Sequence, residues 1–189
     1  WTSAGGEILH IESLFTRGTG KLTVTGQLGD VMRESVQIAV SLVKANYPEA
    51  AQLFEQNDLH VHVPAGSVPK DGPSAGVTLT TAIASLVTGH AVDPRLAMTG
   101  EVSLRGAVMP IGGLPEKLMA AQRAGVTRVL IPADNVDDLE DVAEEVRTRL
   151  EIVPVATVDE VLMQAGVWPG TPAPAAVGPS RVAGGESVA

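Results

Sequence analysis

Residues 75 to 88, AGVTLTTAIASLVT, contain no charged side chain and read as a very apolar helix stopped by Gly89. A helix of that composition has to be buried, so the fold must supply layers around it. It opens from the turn DGPSAG, which sets Ser74 between Gly72 and Gly76 at the mouth of a buried element. The surrounding layers must be aliphatic. Aromatic residues are 3% of the 189 and hydrophobic residues 44%, so Ala, Val, Leu and Ile have to fill the core.

The flanking segments supply those layers. Residues 7 to 26 alternate on either side of RGTG and predict a β-hairpin. Apolar residues at 31, 32, 36, 39, 40, 42 and 43 predict a helix with Asp30 as its N-cap. DLHVHVPAG reads as a strand, and LAMTGEVSLRGAVMPIGG as strand, turn and strand. LPEKLMAAQRAG predicts a short helix, with Pro115 in its first turn and Gly125 after its last. TRVLIP is a strand, NVDDLEDVAEEVRTRL an acidic helix with an apolar stripe, EIVPVA a last strand and VDEVLMQAGV a last helix. Alternation of strands and helices after residue 95 implies α/β or α+β layering. Residues 1–167 are expected to form one domain. Residues 168–189 shift to Pro, Gly, Ala and Ser and are expected to form a disordered tail.

Charge and composition narrow the function. The net charge is −9 and no Lys/Arg cluster appears, so nucleic acid is not an expected partner. With no cysteine, disulfides and thiolate metal sites are excluded. No apolar run approaches the roughly 18 residues that span a bilayer, so no membrane segment is expected. The opening WTSAGGEILH has neither Met nor the basic start of a secretion signal, and reads as an excised piece of a longer chain.

Several motifs compete for a chemical role. RGTGKL superficially resembles a phosphate loop, but Phe15 stands where the leading Gly is required and Leu22 where Ser or Thr would hold a metal. HVHV puts His60 and His62 on one strand face, yet no third ligand accompanies them, so hydrogen-bonded strand histidines are the favoured reading. Ser74 is either an N-cap serine or a nucleophile whose oxyanion would meet the N–H groups of the helix end. A nucleophilic serine needs a base, and His60, His62, Asp71 and a lysine of lowered pKa are the candidates. Lys117 falls in the first turn of a helix, where a cation is disfavoured; that position and partial burial would lower its pKa. The competing reading is an exposed lysine paired with a carboxylate.

Taken together, PKDGPSAG followed by AMTGEVSLRGAVMPIGGLPEKLMAAQRAG resembles the proteolytic domain of the Lon family of ATP-dependent serine proteases. GKLTVTGQLGDVMRES and HVHVPAG are similar to it as well, and the likeness covers residues 1–167. The resemblance implies a compact α/β (α+β) fold like domain 2 of ribosomal protein S5, usually assembled as a hexameric ring. It implies a Ser–Lys dyad, with Ser74 as nucleophile and Lys117 as general base. Thr99 would hydrogen-bond near the lysine, Asp71 could turn inward and shut the site, and His62 would have a supporting role at most. Substrates would be unfolded or damaged proteins in the cytoplasm. The family's ATPase module, which would bring ATP and magnesium, has no counterpart in these residues, so no cofactor is expected in this chain and only weak peptidase activity. Pro115 stands where many members carry Lys, which should stiffen the helix start and spare the dyad. A Ser–His–Asp triad of Ser74, His62 and Asp71, or a ring-forming scaffold without proteolysis, are the rival readings.

Overall fold

The computed structural model describes residues 8–168 and the backbone of residues 183–188. In chain order these form β1 (Ile8–Arg17), β2 (Leu22–Thr25), α1 (Asp30–Asn46), α2 (Ala51–Gln56), β3 (Asn57–His62), α3 (Gly76–Thr88), β4 (Leu96–Met98), β5 (Glu101–Val102), β6 (Val108–Met109), α4 (Leu114–Arg123), β7 (Arg128–Pro132), α5 (Glu144–Arg149), β8 (Glu151–Val155), α6 (Val158–Ala165) and β9 (Ala183–Val188). Seven strands make one mixed sheet in the order β2-β3-β1-β9-β4-β7-β8, and β5-β6 is a separate ribbon. The fold is a mixed α/β one, as the sequence implies.

Alternation along the strands sorts the core into two layers. Met98 and Leu130 join the large cluster that contains α1, α3 and α6, whereas Ala97, Val129 and Ile131 face a second cluster with α4 and α5. Helix α3 lies inside the first cluster, and Gly76 through Ser85 are all buried. That explains its uncharged composition. Two of its threonines, Thr80 and Thr81, donate within the helix to the carbonyls of Gly76 and Val77, each at 2.8 Å, and Thr78 donates to Met98 O of β4 at 3.4 Å.

Four sequence expectations are corrected by tertiary context. The predicted hairpin over residues 7–26 does not pair with itself, because β3 enters between its arms, antiparallel to β1 and parallel to β2. The Asp58 carboxylate of β3 fills the turn, accepting from Thr19 N at 3.0 Å and Lys21 N at 2.8 Å, and these bonds hold its pKa below the usual carboxylate range. Asp30 does not cap α1: the N-cap position is Gly29, without a capping side chain of its own, and the carboxylate of Asp71 reaches Met32 N at 2.9 Å instead. The acidic helix breaks into a 3₁₀ segment, Ala133–Asp141, and α5, with Val142 and Ala143 extended between them. Like charges three and four residues apart, as at Asp137/Asp141 and Glu140/Glu144, oppose a continuous helix there.

The fourth correction concerns the tail. The backbone of residues 183–188 is β9, antiparallel to β1 and parallel to β4. The sequence AGGESV has little intrinsic strand preference. Two flanking strands present N–H and C=O groups that need partners, and pairing with them overrides the local bias. The rest of the expected tail, residues 169–182 and 189, lies outside the described residues.

Candidate active site

The turn between β3 and α3 presents Ser74. Gly72 takes φ +110°, a conformation open to glycine and strained for other residues. Ser74 is half-buried, and the helix begins two residues later at Gly76 with no side-chain capping bond. The N-cap reading of Ser74 therefore fails, since its hydroxyl is not committed to the helix end. The backbone of the turn is fixed from the far side. Gly100 N donates to Ser74 O at 2.8 Å, Val77 N to Gly100 O at 3.1 Å, and Gly76 N to Pro73 O at 3.1 Å. Among the described residues, no backbone acceptor is seated on the N–H of Ser74 or of Ala75. Gly76 is required by close approach: a Cβ there would stand 3.0 Å from both Val102 N and Val102 Cγ2.

Helix α4 delivers Lys117 to Thr99, the chain neighbour of Gly100. Gly113, at φ 73°, turns the chain into the helix, Pro115 follows at its start, and Lys117 N donates to Gly113 O at 3.1 Å. The side chain is 2% exposed and its Nζ donates to Thr99 Oγ1 at 3.4 Å. Burial pushes the Lys117 pKa down to about 8. Desolvation of the ammonium is the cause. Thr99, 1% exposed at the end of β4, is the chain neighbour of Gly100. One dipeptide thus holds the Lys117 ammonium through its side chain and the Ser74 carbonyl through its backbone.

Two supporting groups could not be found by sequence reasoning. Asn135 is 3% exposed and pairs with the backbone of Ile111 like a strand neighbour, accepting from Ile111 N and donating to Ile111 O, both at 2.9 Å. It ties down the loop that leads into α4. In the sequence it is one polar residue in a stretch read as a solvated helix, which hides the role. Gly100 falls in a segment whose pattern reads only as strand and turn, yet its backbone N–H joins the Ser74 carbonyl to the neighbour of Thr99.

The other expected residues are not brought to Ser74 by hydrogen bonds. Asp71 turns to the N-terminus of α1, its Oδ1 accepting from Met32 N at 2.9 Å and Gly72 N at 2.8 Å. His62 Nδ1 and His60 Nε2 share Thr25 Oγ1, at 2.7 and 2.8 Å, so the two imidazoles are linked through one hydroxyl of the neighbouring strand. Among the described residues no group of three or more His, Cys, Asp or Glu converges as a metal site would require. The RGTGKL turn is closed on the Asp58 carboxylate, which occupies N–H groups a nucleotide phosphate would need. Among the described residues no helix is long and apolar enough to cross a membrane.

Comparison with known proteins bears on this arrangement. Residues 1–167 match the family described as Lon protease (S16) C-terminal proteolytic domain. A Lon protease of Clostridium beijerinckii is 62% identical over 87% of this chain and 21% of its own length. A Lon protease of Methanosarcina barkeri is 56% identical, also over 87% of this chain and 21% of its own length. One from Azospirillum brasilense is 52% identical over 98% of this chain and 24% of its own. The chain thus spans roughly a fifth to a quarter of the length of these relatives.

Proposed function

Since the chain belongs to the family of Lon protease C-terminal proteolytic domains, we propose that it is a serine endopeptidase with Ser74 as nucleophile and Lys117 as general base. Neutral Lys117 takes the Ser74 proton as Oγ attacks a peptide carbonyl. The N–H groups of Ser74 and Ala75 receive the oxyanion. The Lys117 ammonium then protonates the departing amine as the acyl-enzyme forms. Water, deprotonated by the neutral lysine, releases the second product. Thr99 holds Nζ in place through these steps.

The observation that carries the reading is the buried Lys117 amine, linked to Thr99, whose neighbour Gly100 bonds the Ser74 carbonyl. Magnitude matters here. With the pKa lowered from 10.5 to about 8, the free base at pH 7 is roughly 300 times more abundant than for an ordinary lysine. The rival triad has less support, because the His62 ring is bonded to Thr25 and the Asp71 carboxylate to Met32 and Gly72.

The wider activity proposed is that of the longer relatives: ATP-driven degradation of unfolded or damaged proteins in the cytoplasm by a hexameric ring. ATP and magnesium would belong to an ATPase module. The described residues do not fit a nucleotide, since the glycine turn is filled by Asp58. These residues alone are expected to cleave unfolded protein weakly.

The test is a pH–rate profile of cleavage of an unfolded, fluorescently labelled protein. Its rising limb should centre near 8, following Lys117. Ser74→Ala should abolish cleavage and Lys117→Gln should nearly do so. Wild-type rates in either variant would refute the dyad.

A further inference from the structure

The lysine three residues before the catalytic loop's proline makes a more unusual set of contacts than its surface position suggests. Lys70 Nζ donates to three backbone carbonyls: Gly26 O at 2.8 Å, Ala65 O at 2.7 Å and Val68 O at 2.8 Å. An ammonium has three donors, and all three are used. Two carbonyls come from the segment between β3 and the Ser74 turn, and one from the end of β2. Without a cation between them, three carbonyl dipoles converging on one point would repel.

The two segments gripped in this way are also the ones held in costly conformations. Among the described residues, the non-glycine residues with positive φ are Gln27 at 55° and Ala65 at 67°. Ala65 gives its own carbonyl to the ammonium, and Gln27 follows Gly26 directly. Residues forced into that region persist only where their surroundings over-determine them. The backbone of Lys70 completes the clamp: Lys70 N donates to Gln27 O at 3.0 Å and Gly29 N to Lys70 O at 2.8 Å. Asp71, next in the chain, then caps α1 and braces Gly72 N. Partial loss of water from the ammonium lowers the Lys70 pKa.

We propose that Lys70 is a positioning residue of the proposed active site, its ammonium serving as an internal cation that locks residues 65–70 to the end of β2 and so holds the Ser74 turn at a fixed height above Thr99–Gly100. The inference rests on the reading of Ser74 as the nucleophile. Lysine suits the role better than arginine, because three carbonyls meeting at one point match a compact ammonium and not a flat, diverging guanidinium.

The experiment compares Lys70→Ala and Lys70→Met with the unaltered chain by hydrogen exchange and by peptide cleavage. In both variants the amides of Gly29 and residue 70 should lose protection, and kcat should fall at least about tenfold with KM little changed, as misplacement of a nucleophile predicts. Methylammonium should restore part of both in Lys70→Ala. Tetramethylammonium, which has the charge but no donor, should restore neither. Lys70→Arg should behave like the alanine variant. Full protection and full kcat in both variants overturn the proposal, as does equal rescue by the two cations. Should Lys70→Ala fail to fold, Lys70→Met keeps the stem and carries the exchange test. If Lys117→Gln instead proves fully active, the dyad fails while the exchange result still decides what Lys70 does to the loop.

Discussion

Replacing Lys117 by Met should make the protein more stable at neutral pH while removing its activity. The reason is the cost of burying an ammonium. Burial lowers the pKa from 10.5 to about 8 with the side chain 2% exposed. Below the folded-state value both folded and unfolded chains carry the proton, and the whole penalty applies. At pH 7 the shift corresponds to about 3 kcal/mol disfavouring the fold. Between pH 8 and 10.5 the unfolded chain binds more protons than the folded one, so the penalty declines as pH rises. By pH 10 it is under about 1 kcal/mol. Methionine matches the length of the stem and carries no charge, although it strands the Thr99 hydroxyl, which costs about 1 kcal/mol. The net gain expected at pH 7 is therefore about 2 kcal/mol. Urea unfolding followed by circular dichroism, on both proteins at pH 7 and pH 10, measures it. The difference between the two proteins should shrink by about 2 kcal/mol across that interval; other titrating groups cancel in the comparison. A stability difference that stays flat from pH 7 to 10 would show that the Lys117 amine is not desolvated, and the general-base argument would lose its physical footing.

Other perturbations probe the surroundings. Gly76→Ala would push a methyl to 3.0 Å from Val102 N; a loss of about 1–3 kcal/mol in thermal or urea unfolding is expected, with cleavage reduced as the Ser74 turn shifts. Asn135→Ala leaves the N–H and C=O of Ile111 unpaired and should cost about 2–3 kcal/mol by the same measurement. His62→Ala should retain most of the wild-type kcat in the cleavage assay, because its ring is engaged with Thr25; near-complete loss would restore the histidine triad as the better reading.

Much of the architecture is legible in local pattern. The apolar run of α3 announces a helix buried on all sides, and it is buried from Gly76 to Ser85. Pro115 and the glycines around α4 mark its ends, and the alternation of strand and helix after residue 95 marks the layering. What local pattern misreads is pairing between distant segments. The RGTG turn looks like a hairpin because both arms alternate, yet Asp58, 37 residues beyond Lys21, fills it and brings β3 between them. Asp30 looks like a cap because of where it stands, yet Asp71 arrives from 39 residues away to bond Met32 N. Strand β9 is invisible in AGGESV because its partners, not its composition, make it a strand.

At the site the division falls the same way. Side-chain identity and helix-end punctuation, both written locally, determined that a serine turn and a lysine helix exist and where each begins. Only the folded arrangement decided that the lysine is dry, that Thr99–Gly100 lies between it and the serine turn, and that Asp71 and His62 are committed elsewhere. Desolvation and hydrogen-bond competition depend on which groups crowd together in space, and spacing along a chain does not encode that.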